Sequence, residues 1–329
     1  MTAKNIDKPG LSPHLDPHTA GFLAMLDAKG VPPMHELSVE DARKAAMGYI
    51  GLQGPQQSVA EVSEHTLEVQ GGTIKARVYK PNLNGNLPMV MMYHGGGFVI
   101  GNLDLIDNVA RQVCAQSGAA VITIGYRKGP ECRFPTPAED AYAGLLWAVS
   151  KARELSLDST RIATLGDSAG GNLATVVARM ALDRKGPKIA HQVLVYPVVD
   201  VGGDYPSMQE NGEGYMLTRQ TMAWFMSQYM PLDPVEAEKA HNNPYLSVIH
   251  AKLSDMPPAT IYTAGFDPLR DQGLAYAEAL KNAGVEVEYV PNPTMIHGYF
   301  WMGGVIPHAA VTIQHIAGVL KHSLNIQQG

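Results

Sequence analysis

The stretch Arg161-Ile162-Ala163-Thr164-Leu165-Gly166-Asp167-Ser168-Ala169-Gly170-Gly171-Asn172-Leu173-Ala174-Thr175-Val176-Val177 decides how the chain is read. Arg161–Leu165 is short, apolar and bounded by glycine, which predicts a buried strand. Gly171–Val177 predicts a helix. Ser168 therefore sits on a sharp turn between strand and helix. The flanking Gly166 and Gly170 suit that turn, because a tight turn leaves no room for nearby Cβ atoms and strains the backbone. The following helix aims its N-terminus at the serine, which favours developing negative charge. Gly166–Gly170 has the Gly-x-Ser-x-Gly spacing of an exposed nucleophilic serine. The blander alternative is a serine that merely caps the helix.

Working outward, apolar runs and helical patterns alternate along most of the chain. Glu64–Val69 and Ile74–Tyr79 alternate around Gly71-Gly72 and predict a hairpin. Strands are then expected at Pro88–Tyr93, Ala119–Ile124, Arg161–Leu165, Gln192–Tyr196, Ala259–Thr263 and Val285–Val290. The middle four are rich in Val, Ile and Leu, as parallel strands covered on both faces tend to be. Helices are expected at Leu105–Ser117, Pro137–Lys151, Gly171–Asp183, Leu269–Ala283 and His308–His322. The fold class is α/β, with a mostly parallel sheet and an antiparallel start.

Two regions break the rhythm. Residues 1–60 hold candidate helices at Pro17–Lys29 and Ser38–Gly48, the latter opened by the capping-box pattern Ser38-Val39-Glu40-Asp41. Residues 201–253 form a long insertion with a candidate helix at Arg219–Met230. An insertion of that length is read as a functional lid. Met208, Met216, Met222, Met226 and Met230 fall within it, among 16 methionines in the chain. Flexible thioethers suit an adaptable apolar pocket. The i, i+4, i+8 spacing of Met222, Met226 and Met230 equally suits core contacts, and that reading is favoured.

His94-Gly95-Gly96-Gly97-Phe98 directly follows the strand candidate Pro88–Tyr93. Successive glycines expose backbone N–H groups to a substrate oxygen, which an oxyanion hole requires. The expected donors are the amides of Gly96, Gly97 and Ala169, with His94, Gly95 and Asp167 in support. A phosphate loop is the alternative, but no Lys-Ser/Thr follows and no Gly-x-Gly-x-x-Gly spacing fits.

An attacking serine needs a base, and the base an orienting acid. Of the 12 histidines, His14, His18, His35 and His65 precede the core. His308, His315 and His322 lie in the last helix. His297 follows the strand Val285–Val290 and a short loop, Pro291–Ile296, at the strand end where the serine lies. It is the expected base. Asp267, directly after Ala259–Thr263, is the expected acid, with Asp271 and Asp200 as rivals. The order Ser168, Asp267, His297 matches one chain order in which such triads occur.

Together these motifs resemble the hormone-sensitive-lipase-like branch of the α/β-hydrolase fold, which includes bacterial family IV esterases. Tyr126-Arg127-Lys128-Gly129-Pro130-Glu131, Pro137-Ala138-Glu139-Asp140-Ala141-Tyr142, Tyr196-Pro197 and His297-Gly298-Tyr299 add to the likeness. Lys128-Gly129 departs from the usual Leu-Ala, and Gln272 stands where Glu is common. Tyr126-Arg127 and Glu139-Asp140 are expected to buttress loops. The resemblance implies an eight-stranded sheet flanked by helices under a helical cap. It implies a carboxylesterase acting on short- to medium-chain acyl esters through an acyl-enzyme, with no metal or cofactor. Residues 1–60 and 201–253 would form the cap, and residues 61–200 and 254–329 the catalytic domain. An amidase or formamidase with the same triad, or a non-catalytic receptor, is the alternative.

Composition sets outer bounds. The chain has 329 residues, 45% hydrophobic, enough for a sizeable core. Lys plus Arg number 25 against 31 Asp plus Glu, and the net charge of -6 argues against nucleic acid or an anionic membrane as partner. No run of about 18 apolar residues predicts a membrane span. Met1–Pro9 shows no apolar signal region. The two cysteines, Cys114 and Cys132, form no close pair and are read as ordinary buried thiols. A cytoplasmic location is expected. The last strand, Val285–Val290, falls at a sheet edge, and edges invite pairing; the resemblance points to a homodimer there.

Overall fold

The computed structural model describes residues 14–327. Residues 1–13 of the expected cap segment lie outside the described residues. An eight-stranded sheet runs through the molecule in the order β1-β2-β4-β3-β5-β6-β7-β8. Its strands are β1 (Glu61–Val69), β2 (Gly72–Lys80), β3 (Leu87–Tyr93), β4 (Ala120–Gly125), β5 (Leu157–Asp167), β6 (His191–Val195), β7 (Ala259–Phe266) and β8 (Val287–Ile296). β1 and β2 are antiparallel, β2 lies antiparallel to β4, and the rest are parallel.

The helices are α1 (Pro17–Ala28), α2 (Val39–Met47), α3 (Leu103–Ser117), α4 (Thr136–Ser150), α5 (Ala169–Asp183), α6 (Pro206–Glu210), α7 (Arg219–Tyr229), α8 (Pro234–His241), α9 (Arg270–Asn282) and α10 (His308–Ser323). β3 shows why its strand reads as a solid apolar run. Met89, Met91 and Tyr93 belong to the cluster shared with α4, α5 and α9, while Val90 and Met92 face α3 and α10. Successive side chains on a strand point to opposite faces, so both faces of this sheet are covered.

A third apolar cluster lies outside the sheet. Ala42 and Ala46 of α2, and Phe225 of α7, pack on Val99, Ile100 and Leu269. Ser38 caps α2 by accepting from Asp41 N–H at 3.1 Å, as the capping box predicts. Thr218 caps α7 in the same way. His35 Nδ1 lies 3.0 Å from Thr221 Oγ1 and joins the N-terminal region to α7. No helix among the described residues is long and apolar enough to cross a membrane.

Several boundaries correct the sequence reading. α5 begins at Ala169 rather than Gly171, so the serine meets the helix with no intervening loop. α6 and α8 are short helices inside the insertion that periodicity did not reveal. The largest correction is β8. Pro291–Ile296 is not a loop: the strand starts at Val287 and continues to Ile296, with Thr263 opposite Pro291 and Phe266 opposite Ile296. Pro291 and Pro293 can stand within it because β8 is an edge strand, where a missing N–H need not break a ladder.

Candidate active site

β3 and β5 are neighbours although β4 lies between them in sequence, and Tyr93 is opposite Gly166. The segments leaving their carboxyl ends therefore emerge side by side, where ligands bind in open α/β sheets. Ser168 sits there with φ +55° and ψ -121°, a conformation that L-residues rarely adopt. A Cβ on Gly166 would strike the Gly170 carbonyl, and one on Gly170 would strike the Tyr93 carbonyl. Both glycines are thus steric requirements of the turn.

Ser168 Oγ lies 2.9 Å from His297 Nε2, and His297 Nδ1 lies 2.7 Å from Asp267 Oδ2. All three residues are buried. Asp267 Oδ1 also accepts from Leu269 N–H at 2.8 Å, which fixes the carboxylate. The rival acids point elsewhere. Asp271 accepts from Ser207 N–H and pairs with Arg270. Asp200 accepts from the Tyr205 hydroxyl, and Gln272 Oε1 accepts from the amides of Val199 and Asp200. Serine, imidazole and carboxylate in this order can pass a proton from the hydroxyl and stabilise the resulting imidazolium.

Gly96 has φ +120° and Gly97 φ +58°. Both line a cavity of about 340 Å³ together with Ser168 and His297. A Cβ on Gly97 would overlap the ring of Phe225. Ala169 is the first residue of α5, buried behind the serine. His94 stacks on Tyr126 at 4.4 Å between ring centroids, and the Tyr126 hydroxyl donates to the His94 carbonyl at 2.7 Å. Burial, with the nearby Lys128 charge, pushes the His94 imidazole down to about 3, so it is neutral and structural. Asp167 Oδ1 accepts from Gly95 N–H at 2.9 Å, and its Oδ2 from Trp301 Nε1–H at 2.8 Å. Burial raises its carboxyl to about 6 against the pull of those two donors.

The expected buttresses are present. Arg127 makes a bidentate pair with the buried Asp140 and donates to the hairpin carbonyls of Gln70 and Gly71. Glu139 pairs with Arg184 beyond the end of α5. Sequence reasoning missed Arg43 on α2. Its Nε donates to the Val99 carbonyl, one Nη to the Gly129 carbonyl, and the guanidinium pairs with Glu131. It missed Trp301 as well. Nothing local marks either residue, since each acts on chain far away in sequence.

The methionines fall into two groups. Met208, Met216, Met222 and Met226 line the cavity, with Met34 from the N-terminal region, and Met230 alone of the helical series is buried in the core. Core packing was the favoured reading for Met222 and Met226; they pack on apolar neighbours and face the cavity as well. Cys114 is buried, and Cys132 is half-buried rather than interior.

A model of the alpha/beta hydrolase fold family matches residues 90–301. The chain belongs to that family. Carboxylesterase NlhH of Mycobacterium tuberculosis is 40% identical over 279 residues, covering 83% of this hydrolase and 87% of that protein. Ethyl acetate hydrolase of Pseudomonas putida is 34% identical over 322 residues, covering 94% and 99%. Among solved structures, a thermostable esterase from Pseudomonas putida ECU1011 superposes with a TM-score of 0.91 at 34% identity, over 97% of this hydrolase and 100% of that chain. The hyperthermophilic esterase of Pyrobaculum calidifontis gives 0.87 at 37% identity, over 94% and 98%. This hydrolase is a carboxylic ester hydrolase of the hormone-sensitive-lipase-like branch.

Proposed function

We propose that this hydrolase cleaves short- to medium-chain acyl esters with Ser168 as nucleophile, His297 as general base and acid, and Asp267 as the orienting carboxylate. The observation that carries the reading is the contact chain of 2.9 Å and 2.7 Å through the two ring nitrogens of His297. His297 Nε2 takes the Ser168 proton as Oγ attacks the ester carbonyl. The amides of Gly96, Gly97 and Ala169 receive the developing oxyanion, held by a backbone that needs no rearrangement. The tetrahedral intermediate collapses, the alcohol leaves with the proton from His297, and the acyl group stays on Oγ. A water, deprotonated by His297, repeats the sequence and frees the acid.

Residues 14–60 and 201–253 act as the cap over a catalytic domain of residues 61–200 and 254–329. Methionines and Phe225 of that cap supply apolar walls to a cavity of about 340 Å³, within the range of small-ligand sites. Acyl chains of roughly eight carbons or fewer are preferred, a limit taken by analogy with the family. The name of the Pseudomonas putida relative, an ethyl acetate hydrolase, agrees with short acyl groups.

A fluorophosphonate probe should label one serine, and peptide mapping should put the adduct on Ser168. The Ser168→Ala variant should lose on the order of 10⁶ in kcat. Full esterase activity in that variant, or labelling elsewhere, overturns the mechanism. A chain-length series of nitrophenyl esters tests the acyl limit, and efficient cleavage of long-chain triglyceride emulsions contradicts it. A matched ester and amide pair separates esterase from amidase.

A further inference from the structure

Asp167 is a buried carboxylate that the proton relay does not use. It is fully enclosed, and each of its oxygens accepts from a different loop. Its own chain neighbour is Ser168. Oδ1 holds the amide of Gly95, whose neighbour is Gly96. Oδ2 holds the indole of Trp301, four residues beyond His297 across the single turn Tyr299–Trp301. Trp301 is buried and forms part of the cavity wall. One carboxylate therefore touches the three segments that carry nucleophile, oxyanion donors and base. Gly95 is shaped to it, since a Cβ there would collide with Oδ2.

We propose that Asp167 is a positioning residue that, as a carboxylate, locks these three segments in register and supports the positive charge His297 acquires during turnover. The proposal deepens the assignment of Ser168, His297 and Asp267 and rests on it. A carboxylate offers acceptors to both N–H donors; the acid offers one acceptor and one O–H. Protonation therefore sets an O–H against an N–H and releases either the glycine loop or the indole.

The charged state of Asp167 is balanced so that it can change. Desolvation raises its carboxyl to about 6, opposed first by the Trp301 indole, then by the Gly95 amide and the charge of His297. The other titratable groups around it stay neutral. Burial holds the Tyr126 and Tyr196 hydroxyls well above 10, and His94 at about 3. Tyr196 lies against His297 with 4.4 Å between ring centroids, so the imidazolium forms between a fixed aromatic face and two carboxylates, one bonded and one acting through space.

The test is the pH dependence of kcat/KM on a neutral nitrophenyl ester, with the full chain. Protonation of the base alone makes the acid limb fall tenfold per pH unit. With Asp167 acting as proposed, wild type falls more steeply than tenfold per unit below about pH 6, and Asp167→Asn falls tenfold at most. At pH 8 Asp167→Asn should lose about 100-fold in kcat, the scale of a small misplacement, with KM within about threefold. Trp301→Phe removes one donor only and should lose less while keeping the steep limb. A wild-type limb of tenfold per unit overturns the proposal even if Asp167→Asn fails to fold. So does an Asp167→Asn enzyme with kcat within threefold of wild type. Fluorophosphonate labelling of Ser168 in both variants keeps the two readings apart: its absence in wild type would sink the catalytic assignment itself.

Discussion

The floor and the roof of the cavity are built on opposite rules. The floor is made at the carboxyl ends of β3, β5, β7 and β8, and its key backbone positions are sterically forced. Gly166 and Gly170 have carbonyls where a Cβ would stand, and Gly95 has the carboxylate of Asp167. Its reacting polar groups are buried and paired: Asp267, His297 and Ser168 are linked in series through the two ring nitrogens of His297. The roof, from α7, the chain flanking α2 and the chain between β6 and α7, puts Met34, Met208, Met216, Leu217, Met222, Phe225 and Met226 on the cavity beside Asp200, Asp204 and Thr221. Thioethers with several rotatable bonds adapt in shape where a hydrogen-bonded carboxylate does not. Chemistry needs fixed distances and substrate fit tolerates slack, and the two halves divide along that line.

Substitutions can break this contrast. Outside the triad the largest effect is expected on the floor, where Gly97→Ala forces a Cβ into Phe225 at a φ of +58°. Loss of about 100- to 1000-fold in kcat is expected, the size of losing an oxyanion donor, with the protein still folded by circular dichroism. A Gly97→Ala enzyme within threefold of wild type would mean the glycine loop is not rigid. A roof change should act on fit instead. Met226→Phe should lower kcat/KM for the longest accepted acyl ester by about tenfold, the scale of one methylene in a pocket, while acetyl ester turnover moves by less than about threefold. Equal losses on both esters would show that the roof, too, is catalytically rigid.

The smallest effect sharpens the comparison through stability. Burial raises the Asp167 carboxyl to about 6 in the fold, above the ordinary aspartate value of 3.8. The folded state thus binds more protons than the unfolded between those values, and stability from this group is present below the lower value and lost as pH rises through about 6. The difference between the two values corresponds to about 3 kcal/mol. The melting temperature of wild type relative to Asp167→Asn should rise by a few degrees between pH 7.5 and pH 4.5. A difference independent of pH would remove Asp167 as the titrating group. Comparing with Asp167→Asn is necessary because carboxylates held low by salt bridges, such as Asp183 beside Arg179 and Glu131 beside Arg43, act in the opposite direction.

This division also governs what the sequence discloses. The floor was legible because strained backbone needs glycine at fixed offsets, so Gly95–Gly97 and Gly166–Gly170 carry a local signature. Asp267 and His297 followed from their places after strands. Arg43 and Trp301 escaped because their partners lie far off in sequence, at Val99 and Gly129 for one and Asp167 for the other. α6 and α8 escaped because five and eight residues give too little periodicity to detect. β8 was cut short at Val290 although its edge position was expected, because Pro291 and Pro293 interrupt the β-branched and aromatic alternation that marks a strand in sequence.

Those same prolines govern how that edge could meet another chain. Among the described residues, β8 has β7 on one side and no strand on the other. A second copy docking strand against strand would seek a regular ladder of donors and acceptors. Pro291 and Pro293 supply no donor, and the register is already irregular opposite Ala264–Phe266. Beyond Val290 the edge offers no regular ladder, and the Thr294 carbonyl already accepts from Asp16 N–H at 3.0 Å. A homodimer through this edge would therefore lean on side chains more than on backbone pairing.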